Sequence, residues 1–208
     1  MTLAERWELL WMELQGTVPR AATADAMLAR YREPQRFYHT VQHLEECIAW
    51  FDQARSSARQ PLELELALWY HDAVYDPRRS DNEEASARLA AEHLEAAGCL
   101  PRIAADVSAL ILWTTHASEP PEGDAALLVD IDLAILGATA ERYAEYERQI
   151  REEYAWVPAV LFRRRRAALL ERFLARPRLY VTPILRERLE ERARANLVRS
   201  LGALRGRG

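Results

Sequence analysis

The stretch "LALWYHDAVYDP", Leu66–Pro77, decides the fold because an almost wholly apolar run carries His71 and Asp72 side by side at its centre. Buried imidazole and carboxylate groups cost free energy unless another group pairs with them or coordinates them. The residues just before the stretch alternate leucine and glutamate, as a strand would, but Pro61 suits the first turn of a helix. The segment from Pro61 to Tyr75 also runs 15 residues without glycine, which is long for a strand. We therefore predict a central, buried helix with the His-Asp pair near its C-terminal end.

The rest of the chain also shows helical periodicity, because apolar residues recur three and four positions apart in nearly every segment. Thr2 and Glu5 form a capping box ahead of the first helix, and Pro101 suits the first turn of a later one. Thr182 is a natural N-cap for the last long helix. The sequence therefore predicts an all-α protein, with a single domain over residues 1–208 built as a bundle of about eight or nine helices.

The composition excludes several functional classes. Half of the residues are apolar, and no apolar run approaches the ~20 residues that a membrane span needs, so we expect no membrane partner. A net charge of −4 offers no general attraction to nucleic acid. The four side chains of the run Arg163–Arg166 point in four directions on a helix, which favours a solvated, salt-bridged surface over a phosphate or nucleic-acid patch.

The N-terminus does not resemble a signal peptide, and Cys47 and Cys99 belong to no CxxC motif. We expect a cytoplasmic protein with reduced thiols. The sequence is compatible with a monomer or an oligomer.

Histidine and aspartate recur at the ends of several apolar segments, as in "RFYHTVQH", "ILWTTHA" and "LLVDIDLAILG". In a helical bundle such side chains can converge on one point of the core. Mixed imidazole and carboxylate ligands suit Mn, Fe, Co, Ni or Zn in sites with open coordination positions. The candidate metal ligands, in chain order, are His39, His71, Asp72, His116, Asp130 and Asp132, and His43 follows His39 by four residues.

Several of these residues also have a purely structural interpretation. His43 could be an interior residue whose polar atoms are satisfied, and His116 could end its helix where a cation meets the negative end of the dipole. Asp130 could be an N-cap. Each interpretation is adequate alone, but together they need unrelated explanations for polar groups in four apolar segments.

The order His … His-Asp … Asp along an all-helical chain resembles the HD-domain superfamily of metal-dependent phosphohydrolases. Further blocks resemble a bacterial subfamily of predicted HD phosphohydrolases and cover most of the chain from Tyr31 to Leu197. These blocks are "YREPQRFYHTVQH", "WYHDAVYDP", "DNEEASARLA", "LVDIDLAILG", "YAEYERQIREEYAWVP" and "ERARANL".

The resemblance implies that the first metal ligand is His39, in preference to His43, and that the paired ligands are His71 and Asp72. It also places His116 where HD proteins with two metals supply an additional histidine. The implied metal is a divalent ion, and Mn, Co, Ni, Fe, Zn and Mg are all candidates for its identity.

The final aspartate ligand is either Asp130 or Asp132. Residues two apart on a helix diverge by about 200°, so at most one of the two can bind the same ion. We slightly favour Asp130.

The implied activity is hydrolysis of a phosphoester of a small molecule, with nucleotides as one candidate class. Asp72 would bind the metal and accept a proton from water, and His43 would donate a proton to the leaving group or bind phosphate. Arg36 would either clamp a phosphate or brace Glu33 or another carboxylate.

Two other functions are compatible with the same residues. Some HD-domain proteins hold two irons and use dioxygen to oxidise a small molecule, and His43, His93 and His116 could complete such a site. Alternatively, the chain is a non-catalytic helical binding protein whose metal is structural or lost.

Overall fold

The computed structural model describes residues 1–118 and 120–206. These residues form α-helices, short 3-10 turns and loops, and they contain no strand. The ten helices, α1 to α10 in chain order, are Leu3–Glu13, Ala24–Arg30, Val41–Ala54, Pro61–Tyr70, Asn82–Ala96, Pro101–Leu112, Asp124–Asp132, Ala140–Glu153, Ala159–Leu174 and Pro183–Arg205. None of the described helices is long and apolar enough to cross a membrane.

The all-α prediction is confirmed, whereas the predicted number of eight or nine helices is slightly too low. The sequence analysis did not identify α2, which has 7 residues and is too short for a clear apolar period. Its first turn is stabilised by a hydrogen bond from the Ala26 amide to the Thr23 hydroxyl.

The chain divides into two compact units, Met1–Val129 and Asp130–Gly208. The division falls inside α7, so the last three residues of this helix belong to the second unit. A single domain and an HD-type bundle therefore both stay predictions.

Helix α4 is the central helix of the first unit, as predicted. Every side chain from Glu63 to Tyr70 is buried, and α4 packs against α3, α5 and α6. The helix ends at Tyr70, earlier than the sequence suggested, with the His71 amide donating to the Ala67 carbonyl at 2.8 Å. The His-Asp pair therefore follows the last turn of α4 instead of lying within it.

Two charged side chains on α1 and α4 are buried together and are satisfied by ion pairs. The Arg6 Nε donates to Glu65 at 2.6 Å, and its terminal nitrogens donate to Asp52 of α3 at 2.7 and 2.8 Å. Arg55, directly after α3, donates to the other Glu65 oxygen at 2.8 Å. Because a buried charge without a partner is strongly destabilising, this network holds α1, α3 and α4 together.

The arginine run on α9 differs in burial along its length. Arg164 and Arg165 are exposed, whereas Arg166 is buried and donates to Glu147 at 2.5 Å. Its guanidinium also lies over the Tyr146 ring, 5.0 Å from the centroid. The predicted solvated, salt-bridged surface is therefore right in exposure for Arg164 and Arg165, whereas Arg166 has the salt bridge but is buried.

In the second unit, α10 packs against α9 and against a 3-10 turn that ends at Gly137. A Cβ atom added at Gly137 would lie 2.6 Å from the Leu189 Cβ, so only glycine allows this approach. Arg192 donates to the Gly137 carbonyl at 2.8 Å, and Asn196 donates to the Leu136 carbonyl at the same distance.

Replacing Gly137 with alanine should lower the free energy of unfolding by about 1–3 kcal/mol, because the added methyl group overpacks the contact with Leu189. Gly202→Ala is the matched control on α10, since an added Cβ there meets nothing within 4 Å. It should raise stability by roughly 0.5–1 kcal/mol, because alanine favours the helix. Urea unfolding measures both, and a stabilised Gly137→Ala variant would contradict the close approach.

Candidate metal centre

Three side chains with ligand atoms converge where α3 begins and α4 ends. The Nε2 atoms of His43 and His71 lie 3.1 Å apart. The Asp72 Oδ2 lies 3.4 Å from the His43 Nε2 and 3.1 Å from the His71 Nε2. Both histidines are 1% exposed. The first turn of α3 and the residues just after α4 thus place three ligand atoms around one point of the core.

The spacing of these atoms fits one bound metal ion. Ligands about 2.1 Å from an ion lie about 3.0 Å apart at right angles and about 3.4 Å apart at the tetrahedral angle. The three observed distances, 3.1, 3.1 and 3.4 Å, fall within these limits. Two imidazoles and a carboxylate are also a usual ligand set for a first-row transition metal or zinc.

The backbone orients the His71 ring for this role. The His71 Nδ1 lies 2.8 Å from the Leu68 carbonyl oxygen. A carbonyl can only accept a hydrogen bond, so Nδ1 carries a proton, and an ion bound at Nε2 would replace the proton that Nε2 shares with its neighbours. Metal-binding histidines in proteins are commonly held this way.

The Asp72 carboxylate is stabilised in its ionised form. Burial alone would raise the pKa of Asp72, but the charges of His71 and His39 and hydrogen bonds from His43 and His71 hold this pKa well below its ordinary value. The site therefore contains a largely buried anion beside two imidazoles, which suits it to a cation.

Cys47 extends this group and was not among the predicted ligands. With His43 and His71, it belongs to a set of side chains whose ligand atoms all lie within 4.8 Å of one another, and such a set could hold a metal ion. The available sequence signal was its spacing, because Cys47 follows His43 by four residues on one helix.

His39, the predicted first ligand, lies beside the group. Its ring stacks on Tyr75 with centroids 4.1 Å apart, and its centroid is 5.8 Å from that of His43. Since α3 begins at Val41, His39 precedes the helix and does not share a helical face with His43. His39 as a ligand stays a prediction, and the geometry favours His43 as the ligand from this segment.

Arg36 braces the segment before α3 against the residues after α4. Its guanidinium donates to the Glu33 carboxylate at 3.1 Å, to the His39 carbonyl at 3.1 Å, and to the Asp72 and Ala73 carbonyls at 2.7 and 3.3 Å. The side chain is fully buried. Of the two predicted roles for Arg36, these contacts favour bracing over clamping a phosphate.

The two candidate aspartates of α7 differ in their surroundings. Asp130 is 1% exposed and accepts hydrogen bonds from the Val181 amide at 3.0 Å and from the amide and hydroxyl of Thr182 at 2.6 Å each. Burial raises the pKa of Asp130, and these hydrogen bonds oppose the rise. Asp130 thus stabilises the start of α10, and the choice of Asp130 or Asp132 as a metal ligand stays a prediction.

The remaining histidines occupy different environments. His116 follows a 3-10 turn in a left-handed conformation with φ of 52°. Burial and the charge of Asp72 raise the pKa of Glu83, while the charge of His116 lowers it, so Glu83 lies within electrostatic range of both. His93 is buried with its Nδ1 3.0 Å from the Tyr70 hydroxyl. A second metal at His116 stays a prediction.

Replacing Asp130 with asparagine should lower the free energy of unfolding by about 1–3 kcal/mol, because an amide nitrogen would face donors that now bond to a carboxylate oxygen. Bound metal should not change. Chemical denaturation and elemental analysis measure the two effects, and the exposed Asp25→Asn variant is the control. Loss of metal with unchanged stability would instead identify Asp130 as a ligand.

Comparisons with known proteins do not extend the assignment: no family model, no curated protein and no solved structure matches this chain. The resemblance to the HD-domain superfamily therefore stays a prediction from the sequence motifs. The functional argument rests on the geometry of the candidate metal centre.

Proposed function

We propose that this protein is a metal-dependent phosphohydrolase that cleaves a phosphoester of a small molecule. The observation that carries the proposal is the convergence of the His43 Nε2, the His71 Nε2 and the Asp72 Oδ2 within 3.4 Å of one another in the core. Burying three such groups without an ion or proton between them is costly, so the arrangement favours a bound cation.

The metal ligands in this proposal are His43, His71 and Asp72, which are chosen from the distances between their ligand atoms.

A divalent ion bound by these residues would supply Lewis-acid chemistry, neutralising charge on phosphorus and generating a nucleophile from water at neutral pH. The protein supplies orientation through Arg36, which ties the His39 and Asp72 carbonyls together. His39 is partly exposed beside the ligands, and an imidazole can both accept and donate a proton, so it suits proton transfer to the leaving oxygen. In this arrangement His43 and His39 exchange the roles that the sequence suggested.

The substrate class rests on the resemblance, because one scaffold can serve unrelated phosphoesters. Nucleotides are the first class to test. The proposed cytoplasmic location rests on Cys47 and Cys99, which are both free thiols.

Replacing His71 or Asp72 with alanine should reduce bound metal from about one equivalent per chain to less than about a tenth, because each variant removes a ligand. Hydrolysis of a panel of nucleotides and phosphate esters should be lost with the metal, while the helical circular dichroism persists. His93→Gln is the matched control, since this buried histidine contacts Tyr70, and it should keep both metal and activity.

The outcomes separate the alternative functions. Two equivalents of iron per chain, with an iron chromophore, would favour the oxygenase and contradict the phosphohydrolase. No metal after reconstitution with Mn, Co or Zn would contradict both enzymes and favour a helical binding protein.

His39→Gln and His43→Gln should have different effects. The His43 variant should lose the metal, whereas the His39 variant should keep it and lose roughly 10²–10⁴-fold in kcat, the usual contribution of a proton-transferring group. Metal analysis and steady-state kinetics on the same preparations measure this difference. Metal loss in the His39 variant alone would restore His39 as the ligand.

A further inference from the structure

We infer that Cys47 is an additional ligand of the candidate metal centre, so that the site takes a thiolate-binding ion such as Zn²⁺, Co²⁺ or Fe²⁺ in preference to Mg²⁺ or Mn²⁺. This inference rests on the proposed metal centre and specifies which class of ion it takes.

Helix α3 places the Cys47 thiol directly beside the ring of His43. The two residues are four apart, so their side chains lie on one face of the helix, one turn apart. The Cys47 Sγ lies 3.7 Å from the His43 Nε2 and 3.8 Å from the Nδ1. The residue is 2% exposed and lies within the core of the first unit.

The Cys47 Sγ is close enough to reach an ion held by the histidines but does not point at the Nε2 lone pair of His43. It is nearly equidistant from the two ring nitrogens, so it lies over the face of the ring. Binding therefore involves a turn of the Cys47 side chain toward the ion, which brings the thiolate to about 2.3 Å. The ligand atoms of Cys47, His43 and His71 already lie within 4.8 Å of one another. The His71 Nε2 is the third member, 3.1 Å from the His43 Nε2.

The chemistry of the ligands selects the metal. Carboxylate oxygens alone suit Mg²⁺ and Mn²⁺, whereas imidazole and thiolate suit zinc and the later transition metals. A centre with the His43, His71 and Cys47 side chains therefore has predominantly nitrogen and sulfur donors. The other cysteine, Cys99, provides a control because it is only partly buried and is not among the grouped ligand atoms.

The test is the absorption spectrum of the full chain loaded with Co²⁺. Sulfur coordination produces a thiolate-to-cobalt charge-transfer band in the near ultraviolet, which imidazole and carboxylate ligands do not. Wild type and Cys99→Ser should show the band, and Cys47→Ser should lack it. Serine is nearly isosteric with cysteine, and thermal unfolding of the metal-free variants checks that each is folded.

A second measurement is the affinity for Zn²⁺ and Mn²⁺ by competition with a chromophoric chelator. Cys47→Ser should weaken Zn²⁺ binding by about 10-fold or more and change Mn²⁺ binding much less, because the lost ligand is soft. Wild-type protein that binds Co²⁺ without the band would overturn the role of Cys47 and leave the metal centre intact. Wild-type protein that binds no Co²⁺ would overturn the metal centre itself, together with this inference.

Discussion

The structure of the first unit depends on placing two imidazoles and a carboxylate around one point of an apolar core. His43 and His71 face each other at 3.1 Å, and Asp72 lies within 3.4 Å of both. Such an arrangement keeps two imidazoles and a carboxylate away from water, which costs free energy. With a cation, the same arrangement becomes a binding site. A bound cation would therefore offset the cost of burying these polar residues and also provide the metal centre of the proposed function.

Several neighbouring features support this placement. Helix α4 is buried on all sides, so the residues that follow it emerge inside the core instead of at the surface. Arg36 donates to the His39 carbonyl before α3 and to the Asp72 carbonyl after α4. The Tyr31 hydroxyl donates to the Trp69 carbonyl at 2.9 Å near the end of α4. These contacts join the segment before α3 to the end of α4. The backbone that carries His71 and Asp72 is thus fixed by contacts from outside the candidate metal centre.

Much of the fold followed from the sequence because it rests on local patterns. The length and apolar character of the "LALWYHDAVYDP" region predicted a buried helix, and the cost of burying His71 and Asp72 predicted a site at its end. The choice between His39 and His43 depended on where α3 begins, and a shift of a few residues reverses it. The structural role of Asp130 depends on Thr182, about fifty residues later in the chain. Three of the acceptors for Arg36 are backbone carbonyls, which carry no sequence signal.

The central claim is that one divalent ion binds at the point where His43, His71 and Asp72 converge. The most direct measurement is an anomalous difference map from crystals of the purified protein, recorded on both sides of the absorption edge of the metal found by elemental analysis. The account predicts one strong peak within coordination distance of the His43 Nε2, the His71 Nε2 and the Asp72 Oδ2, at about 2.0–2.3 Å. A peak elsewhere in the chain, or none with the three side chains still converged, would contradict it.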